Sequence, residues 1–511
     1  MCPGREGIDL AIRVTEVAIT TVRSPACPYN SVVHTIETDY LVVGAGAAGM
    51  AFVDALIAAC DADVVMVDRR HRPGGHWNDA YPFVRLAQPS AFYGVNSRTL
   101  GDDSIDTAGL NSGMYERATA AQLCDYYQQV LSEQMLPSGR VRFFGMSECN
   151  STVGGEQRFV SRLTGDATTV RVRQRVVDAR YLEPSIPATH VRSFDAEPGV
   201  RLIAINDLVR LDSPASGFTV IGAGKTAMDA CLWLLESGVP PEAIRWIRPR
   251  DPWLLDRAFN QPLHLVSFLI EGVSLYLEAA AQADDIPDLF RRLEACGQFL
   301  RIDRDVEPTM FHGATVSEAE LMRLRSIEDV VRLGRVTHIG LDQVKLSGGS
   351  IPNDPGQVHV DCSAAGVPKR ASRPVFADGQ ITLQHIRAGQ PVFSAALTGY
   401  VEATRDNDLQ KNRFCPANPC PDTALDWIPV TYISQLAEAT WSADQDLSSW
   451  MQRSRLNASS AVLDHLDEPQ MKSALARLFT STEPALAKLE TFAAEIPQAG
   501  DRRAAEACLE L

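Results

Sequence analysis

The 511-residue chain has no surplus of positive charge: 48 Lys and Arg stand against 64 Asp and Glu, for a formal net charge of −16. That balance argues against broad affinity for nucleic acid or for an anionic membrane surface. No apolar run approaches the roughly 20 residues a membrane helix needs, so no membrane span is expected. A signal-peptide core is missing as well, because Asp9, Arg13 and Glu16 interrupt the stretch Ile8–Ile19. The 11 cysteines are scattered and odd in number, a poor fit to a secreted disulfide framework. Ten histidines show neither His-Glu-x-x-His nor any paired spacing, so no metal site is expected. What is left is a cytoplasmic protein of ordinary composition, 45% hydrophobic and 22% charged, with length for roughly three domains.

Against these absences stand two glycine-rich fingerprints. The first is Asp39-Tyr-Leu-Val-Val-Gly44-Ala-Gly46-Ala-Ala-Gly49 and the second is Phe218-Thr-Val-Ile-Gly222-Ala-Gly224-Lys225-Thr226-Ala227. Each follows an apolar run suited to a buried parallel strand and precedes a stretch able to form a helix. The first glycine permits a tight turn, the second lets backbone approach a pyrophosphate, and the third small residue lets helix and strand pack closely. The strand ends that follow differ in sign. Asp68 stands 24 residues beyond Gly44, where a carboxylate can accept hydrogen bonds from an adenosine ribose. Arg248 stands 26 residues beyond Gly222, with Arg250 close by, and two guanidiniums suit a 2′-phosphate. The first site is therefore read as FAD and the second as NADPH. Lys225 either cradles phosphate or faces water.

Periodicity gives helices over Gly49–Cys60, Ala118–Gln134 and Lys225–Ser237, and strands over Val141–Met146, Arg158–Leu163, Val170–Val177 and Val358–Cys362. Residues 261–301 and 316–333 read as helix-rich. The fold class expected is α/β with two dinucleotide-binding, Rossmann-like domains, the NADPH domain inserted in the FAD domain, plus a helical C-terminal tail. Residues 1–38 form an N-terminal extension, with a candidate edge strand at Ala11–Val22. The FAD domain covers 39–210 and resumes at 351–431. The NADPH domain with a helical insertion covers 211–350, and the tail covers 432–511 as a candidate homodimer interface.

Between the fingerprints runs Gly74-Gly75-His76-Trp77-Asn-Asp-Ala-Tyr81-Pro82-Phe-Val-Arg85-Leu-Ala87-Gln88-Pro89-Ser90-Ala-Phe-Tyr93. Over roughly residues 39–260 the chain resembles the flavin-containing monooxygenases and Baeyer–Villiger monooxygenases, which carry Gly-Gly-x-Trp, Tyr-Pro-Gly-x-Arg and a Ser followed by Tyr in this order. The resemblance implies that NADPH reduces the flavin, which then reacts with O2 to give a C4a-peroxyflavin that oxygenates a small organic substrate. It places Arg69, Gly75, His76, Trp77, Arg85, Gln88 and Ser90 with the fingerprint residues among the cofactor contacts. It also implies that Ala179–Pro187 and Asp361–Gly366 are the two linkers between domains, and that the helix starting near Pro391 aims its N-terminus at the flavin.

Two features of the family are absent. No histidine stands in Phe194–Asp207 where the Baeyer–Villiger fingerprint has one, and Ala87 occupies the place of an aspartate that orients a catalytic arginine. Ketone insertion then competes with oxygenation of a heteroatom and with aromatic or aldehyde chemistry. Gln88, Asn206 and Arg257 are the catalytic candidates. Three other readings use the same scaffold: a flavin oxidase or dehydrogenase without NADPH, a non-catalytic FAD-fold binding protein, and a dithiol reductase. The last would need Cys415 and Cys420, the one close pair of cysteines, beside the flavin.

Overall fold

The computed structural model describes residues 34–151, 157–377 and 379–496. The candidate strand Ala11–Val22 and the last 15 residues of the expected tail, 497–511, lie outside them. Two sheets organise the chain, and each is built around one fingerprint strand. In the first, parallel strands run in the order Gln380–Thr382, Ala167–Asp178, His34–Val43, Val64–Val67 and Val141–Phe144. An antiparallel hairpin, Ser147–Ser151 with Gln157–Ser161, joins its edge through Ala167–Asp178. The second sheet is wholly parallel, in the order Val330–Val331, Ile244–Ile247, Phe218–Ile221, Val358–Asp361 and Arg201–Ala204. Both central strands are covered on two faces, which explains why they read as continuous apolar runs rather than alternating ones.

Sheet membership corrects the expected boundaries. Arg201–Ala204 and Val358–Asp361 flank Phe218–Ile221 in the second sheet, although they fall outside the 211–350 expected for that domain. A buried central strand needs neighbours on both sides, and strand pairing is a non-local choice that periodicity does not encode. The chain crosses between sheets twice, after Asp178 and after Asp361. The two crossings bind each other, Ser185 N–H to Gly366 O at 2.8 Å and Gly366 N–H to Ser185 O at 3.1 Å.

The C-terminal boundary shifts too. A helix spans Trp427–Ala443, so position 432 falls inside it. It starts where the Asp426 carboxylate accepts from the backbone N–H groups of Asp422 and Thr423. Trp441, Leu447 and Leu456 enter the core of the first domain beside Phe52 and Phe393. The long helix Pro469–Glu495 lies along Val266–Gln282, where Leu489 and Phe492 share a cluster with Leu277 and Ala280. That partnership qualifies the expectation of no membrane span. Leu263–Gln282 is long and apolar enough to cross a bilayer by composition alone, but it carries Glu271 and Glu278 and packs against a second helix.

Helices Ala47–Ala59 and Pro391–Thr404 pack directly against each other. A Cβ on Gly399 would stand 2.5 Å from the carbonyl oxygen of Phe52. Gly399→Val should therefore force these helices apart, at a cost of about 1–3 kcal/mol, read as a lowered Tm. An unchanged Tm would show that the contact relaxes freely.

Candidate functional site

The first fingerprint turns as its glycines require. Gly44 has φ +108°, and its N–H donates to Val67 O at 2.8 Å, so the turn is tied to the next strand. A Cβ on Gly49 would lie 2.1 Å from Gly44 O, so only glycine lets the helix start this close to the strand. Gly46 caps the helix Ala47–Ala59 without any side-chain acceptor, which leaves first-turn N–H groups free to face an anion. The Gly74-Gly75 turn lies directly over this loop. Gly74 N–H donates to Ala45 O at 2.9 Å, Gly75 has φ +56°, and a Cβ on Gly75 would stand 2.8 Å from Gly46 Cα.

Asp68 is buried at its strand end. One carboxylate oxygen accepts from Ala45 N–H at 2.7 Å and the other from Arg70 N–H at 2.8 Å. Each oxygen keeps a second lone pair, the acceptor capacity a ribose would use. Arg69 instead pairs with Glu183 on the first crossing. The His76 ring lies 4.7 Å from that of Trp77, whose indole N–H donates to the Tyr93 hydroxyl at 3.2 Å. Burial, helped by Arg70, pushes the His76 imidazole down to about 4, so it is neutral near pH 7. Ser90 is buried, and its hydroxyl oxygen accepts from Ala118 N–H at 2.8 Å. Gln88 donates to Phe92 O at 3.4 Å. Arg85 is exposed and donates to Arg117 O at 3.0 Å, away from the His76–Tyr93 group.

In the second fingerprint Gly222 has φ +137°, and a Cβ there would lie 2.5 Å from Cys362 O. Gly224 faces open space and caps the helix Lys225–Glu236 with no side-chain acceptor. Ala227 is fully buried where the third small residue is needed. Lys225 pairs with Asp229, one turn along its own helix. The other oxygen of Asp229 accepts from the Tyr81 hydroxyl at 2.6 Å, linking the Tyr-Pro segment to the second domain. Burial and the Asp229 charge raise the Tyr81 phenol well above its ordinary value, and the Thr226 hydroxyl bonds to it as well.

The two arginines read as a pair diverge. Arg250 reaches Asp422 at 2.8 Å, and the carboxyl of Asp422 is held well below its usual range by Arg250 and His312. Arg248 is only 1% exposed, lies over the Trp246 ring, and pairs with Asp251 at 3.0 Å through one terminal nitrogen. Its Nε and other terminal nitrogen are buried without a partner. The cation beside it is Arg332, which grips the same Asp251 at 2.9 Å. The sequence reading missed Arg332, although Val330-Val331-Arg332 repeats the strand-then-arginine pattern of Ile247-Arg248.

The catalytic candidates fall in two places. Asn206 donates to Asp79 O at 3.1 Å, next to the Gly-Gly-His-Trp turn, while its carbonyl oxygen is buried with no partner. Arg257 is 0% exposed, and its nitrogens donate to Ala87 O at 3.3 Å, Asn111 Oδ1 at 3.2 Å, Thr315 O at 3.1 Å and Glu320 Oε2 at 2.6 Å. Glu320 also pairs with Arg117 at 3.0 Å. Burial opposes the charge on Glu320, but the two guanidiniums outweigh it and hold the carboxyl below its usual range. A carboxylate–arginine pair thus exists beside Ala87, with the carboxylate supplied by a distant helix. Cys415 and Cys420 are both free thiols; burial pushes Cys415 far up and Cys420 up to about 11, which makes both poor redox nucleophiles.

With this geometry, a family model described as an NAD(P)-binding Rossmann-like domain matches residues 42–85. The uncharacterized protein Rv2000 of Mycobacterium tuberculosis is 45% identical over 454 residues, covering 88% of this chain and 83% of that protein. The uncharacterized protein Mb2023 of Mycobacterium bovis matches over the same shares. The chain belongs to the same family as these two proteins. Among solved structures it is similar to an open cyclohexanone monooxygenase, with 14% identity, 72% of this chain, 88% of that one and a TM-score of 0.44. A polycyclic ketone monooxygenase from Thermothelomyces thermophila gives 12% identity, 92% of this chain, 90% of that one and a TM-score of 0.46.

Three imidazoles, His76, His359 and His385, are each pushed down to about 4 by burial. Unfolded, each takes its proton near pH 6.5. The unfolded chain therefore binds more protons than the folded one between about pH 6.5 and 4, and stability is lost as pH falls through that window. His76→Gln should flatten part of the decline in Tm across it. A decline of unchanged slope would contradict the buried, neutral imidazole.

Proposed function

We propose that the protein is an FAD- and NADPH-dependent monooxygenase that uses O2 to oxygenate a small organic substrate at a heteroatom, an aromatic ring or a carbonyl. The observation that carries this reading is the unsatisfied Arg248 at the end of the second fingerprint's neighbouring strand. Two buried guanidinium nitrogens without acceptors cost free energy that an arriving 2′-phosphate would relieve. The first site fits a second dinucleotide on separate grounds. Glycines stand where a Cβ at Gly49 or Gly75 would collide with the backbone of the turn itself, the helix that follows has no side-chain cap, and Asp68 holds acceptor capacity at the ribose position.

Bound together, the two cofactors supply hydride transfer and activation of dioxygen. The protein's share is orientation and exclusion of water. Gly44, Gly46 and Gly49 with Gly75 would hold the FAD pyrophosphate, and Trp77 with Tyr93 would wall the cleft. The neutral His76 keeps a positive charge away from that wall. Gly222, Gly224, Lys225, Thr226 and Ala227 would hold the NADPH pyrophosphate, with Lys225 exchanging Asp229 for phosphate. Asn206, whose carbonyl oxygen has no partner, is the polar contact left available beside the Gly-Gly-His-Trp turn. Arg257 acts through position: it ties Ala87, next to Gln88, to the helix that carries Glu320.

Purified protein should bind FAD, turn yellow, and be bleached faster by NADPH than by NADH. Arg248→Ala should raise the KM for NADPH by about tenfold to a hundredfold, from the loss of charge-assisted hydrogen bonds, and leave that for NADH nearly unchanged. Equal effects on both nucleotides would reject the 2′-phosphate role. A bound flavin that NADPH fails to reduce would favour an oxidase instead.

A further inference from the structure

One half-buried arginine in the C-terminal region makes no ion pair among the described residues and gives its donors to a single loop. Arg455 donates to four backbone carbonyls: Tyr93 O at 2.7 Å, Val95 O at 2.9 Å, Ala91 O at 2.7 Å and Ser90 O at 3.3 Å. The preceding Ser454 hydroxyl extends the grip to Asn96 Oδ1 at 2.8 Å. Withdrawing this guanidinium partly from solvent costs hydration, and that desolvation is the main cause that lowers its proton affinity. Four converging carbonyl dipoles offset that cost only while the loop keeps this shape, so the arrangement selects one conformation of residues 90–96.

Two residues further on, the same segment grips a second piece of chain. Asn457 Oδ1 accepts from Arg387 at 2.8 Å, and Glu438 on the Trp427–Ala443 helix accepts from Arg387 Nε at 2.7 Å. The Arg387 guanidinium lies 3.9 Å from the Phe393 ring centroid. Ser394, inside the first turn of the helix Pro391–Thr404, accepts from Ile386 N–H at 3.1 Å and Arg387 N–H at 3.2 Å. Arg387 therefore fixes how the chain enters that helix.

These two pieces share one edge of the first sheet. Gln380–Thr382 runs parallel to Ala167–Asp178, and Leu383 N–H reaches Asp178 O at 3.1 Å, so residues 383–390 emerge at the carboxyl ends of the strands. The Gly44–Gly49 turn leaves that same edge. Tyr93 holds the Trp77 indole above the turn. The carboxyl edge of a parallel sheet is where such folds bind their ligands.

We propose that Arg455 is a positioning residue: with Ser454 and Asn457 it clamps the 90–96 loop and the 386–390 approach into one fixed wall of the FAD cleft. The inference rests on the FAD reading of the first fingerprint. It assigns the C-terminal region a part in cofactor binding, beyond its packing against the helix Val266–Gln282.

The test uses the full chain with and without added FAD. In Arg455→Met, backbone amides of residues 90–96 and 386–390 should exchange with solvent faster in the FAD-free protein. FAD should bind about tenfold more weakly, as expected for loss of hydrogen bonds to a charged group, and the bound flavin's visible spectrum should shift. The KM for NADPH should not change. Arg455→Lys keeps the charge but not the fork, and should recover part of the affinity. Arg477→Ala, which removes a contact to Glu271 elsewhere in the C-terminal region, should lower Tm while leaving FAD affinity and spectrum at wild-type values. If Arg455→Met does not fold, Asn457→Ala reports on the same clamp through exchange at 386–390 and through the flavin spectrum. Wild-type exchange, affinity and spectrum in the folded variants would overturn the proposal. Wild-type protein that takes up no FAD would overturn the parent reading and the positioning role with it, whereas faster exchange in Arg455→Met would still establish the clamp.

Discussion

Everything at the first fingerprint depends on two backbones meeting without side chains between them. Gly46 and Gly75 face each other so closely that a Cβ on Gly75 would lie 2.8 Å from Gly46 Cα. This contact sets the Gly-Gly-His-Trp turn on top of the phosphate loop and so positions Trp77. Trp77 engages Tyr93, and the Tyr93 loop is gripped by Arg455. A short-range steric constraint at two glycines is thereby passed along a chain of hydrogen bonds to Arg455 in the C-terminal region.

The second constraint is electrostatic and lies between the domains. Tyr81 and Arg117 come from the chain between the two fingerprints, whereas Asp229, Lys225, Arg257 and Glu320 follow the second one. They meet in buried pairs at Glu320 and in a half-buried group at Asp229. Such pairs gain little over apolar packing, but they are strongly destabilising when half broken. They therefore fix the register between domains more than they add to stability. The bridge between Ser185 and Gly366 does the same where the chain crosses between the sheets.

Much of the fold was legible because its signals are local. The apolar run before Gly44, the acid at Asp68 and the helix over Lys225–Ser237 each depend on neighbours a few residues away. The structure bounds that helix at Lys225–Glu236. The domain limits were not legible, since Arg201–Ala204 and Val358–Asp361 join a strand whose partners no periodicity specifies. The pairing of Arg248 with Asp251 and Arg332 in place of Arg250 escaped for the same reason. So did the carboxylate beside Ala87: Glu320 lies 233 positions away and meets Arg257 only through tertiary packing.

The sequence by itself determined the two dinucleotide-type turns, their differing strand-end charges and the Gly-Gly-His-Trp segment between them. Those features follow from sterics and chain geometry over a few residues. Only the tertiary structure decided which guanidinium is left with unsatisfied donors, which carboxylate meets Arg257, and that the C-terminal region forms part of the first domain. Each of these depends on groups brought together from distant parts of the chain. Their energies come from burial and desolvation, which exist only once the chain has closed around them.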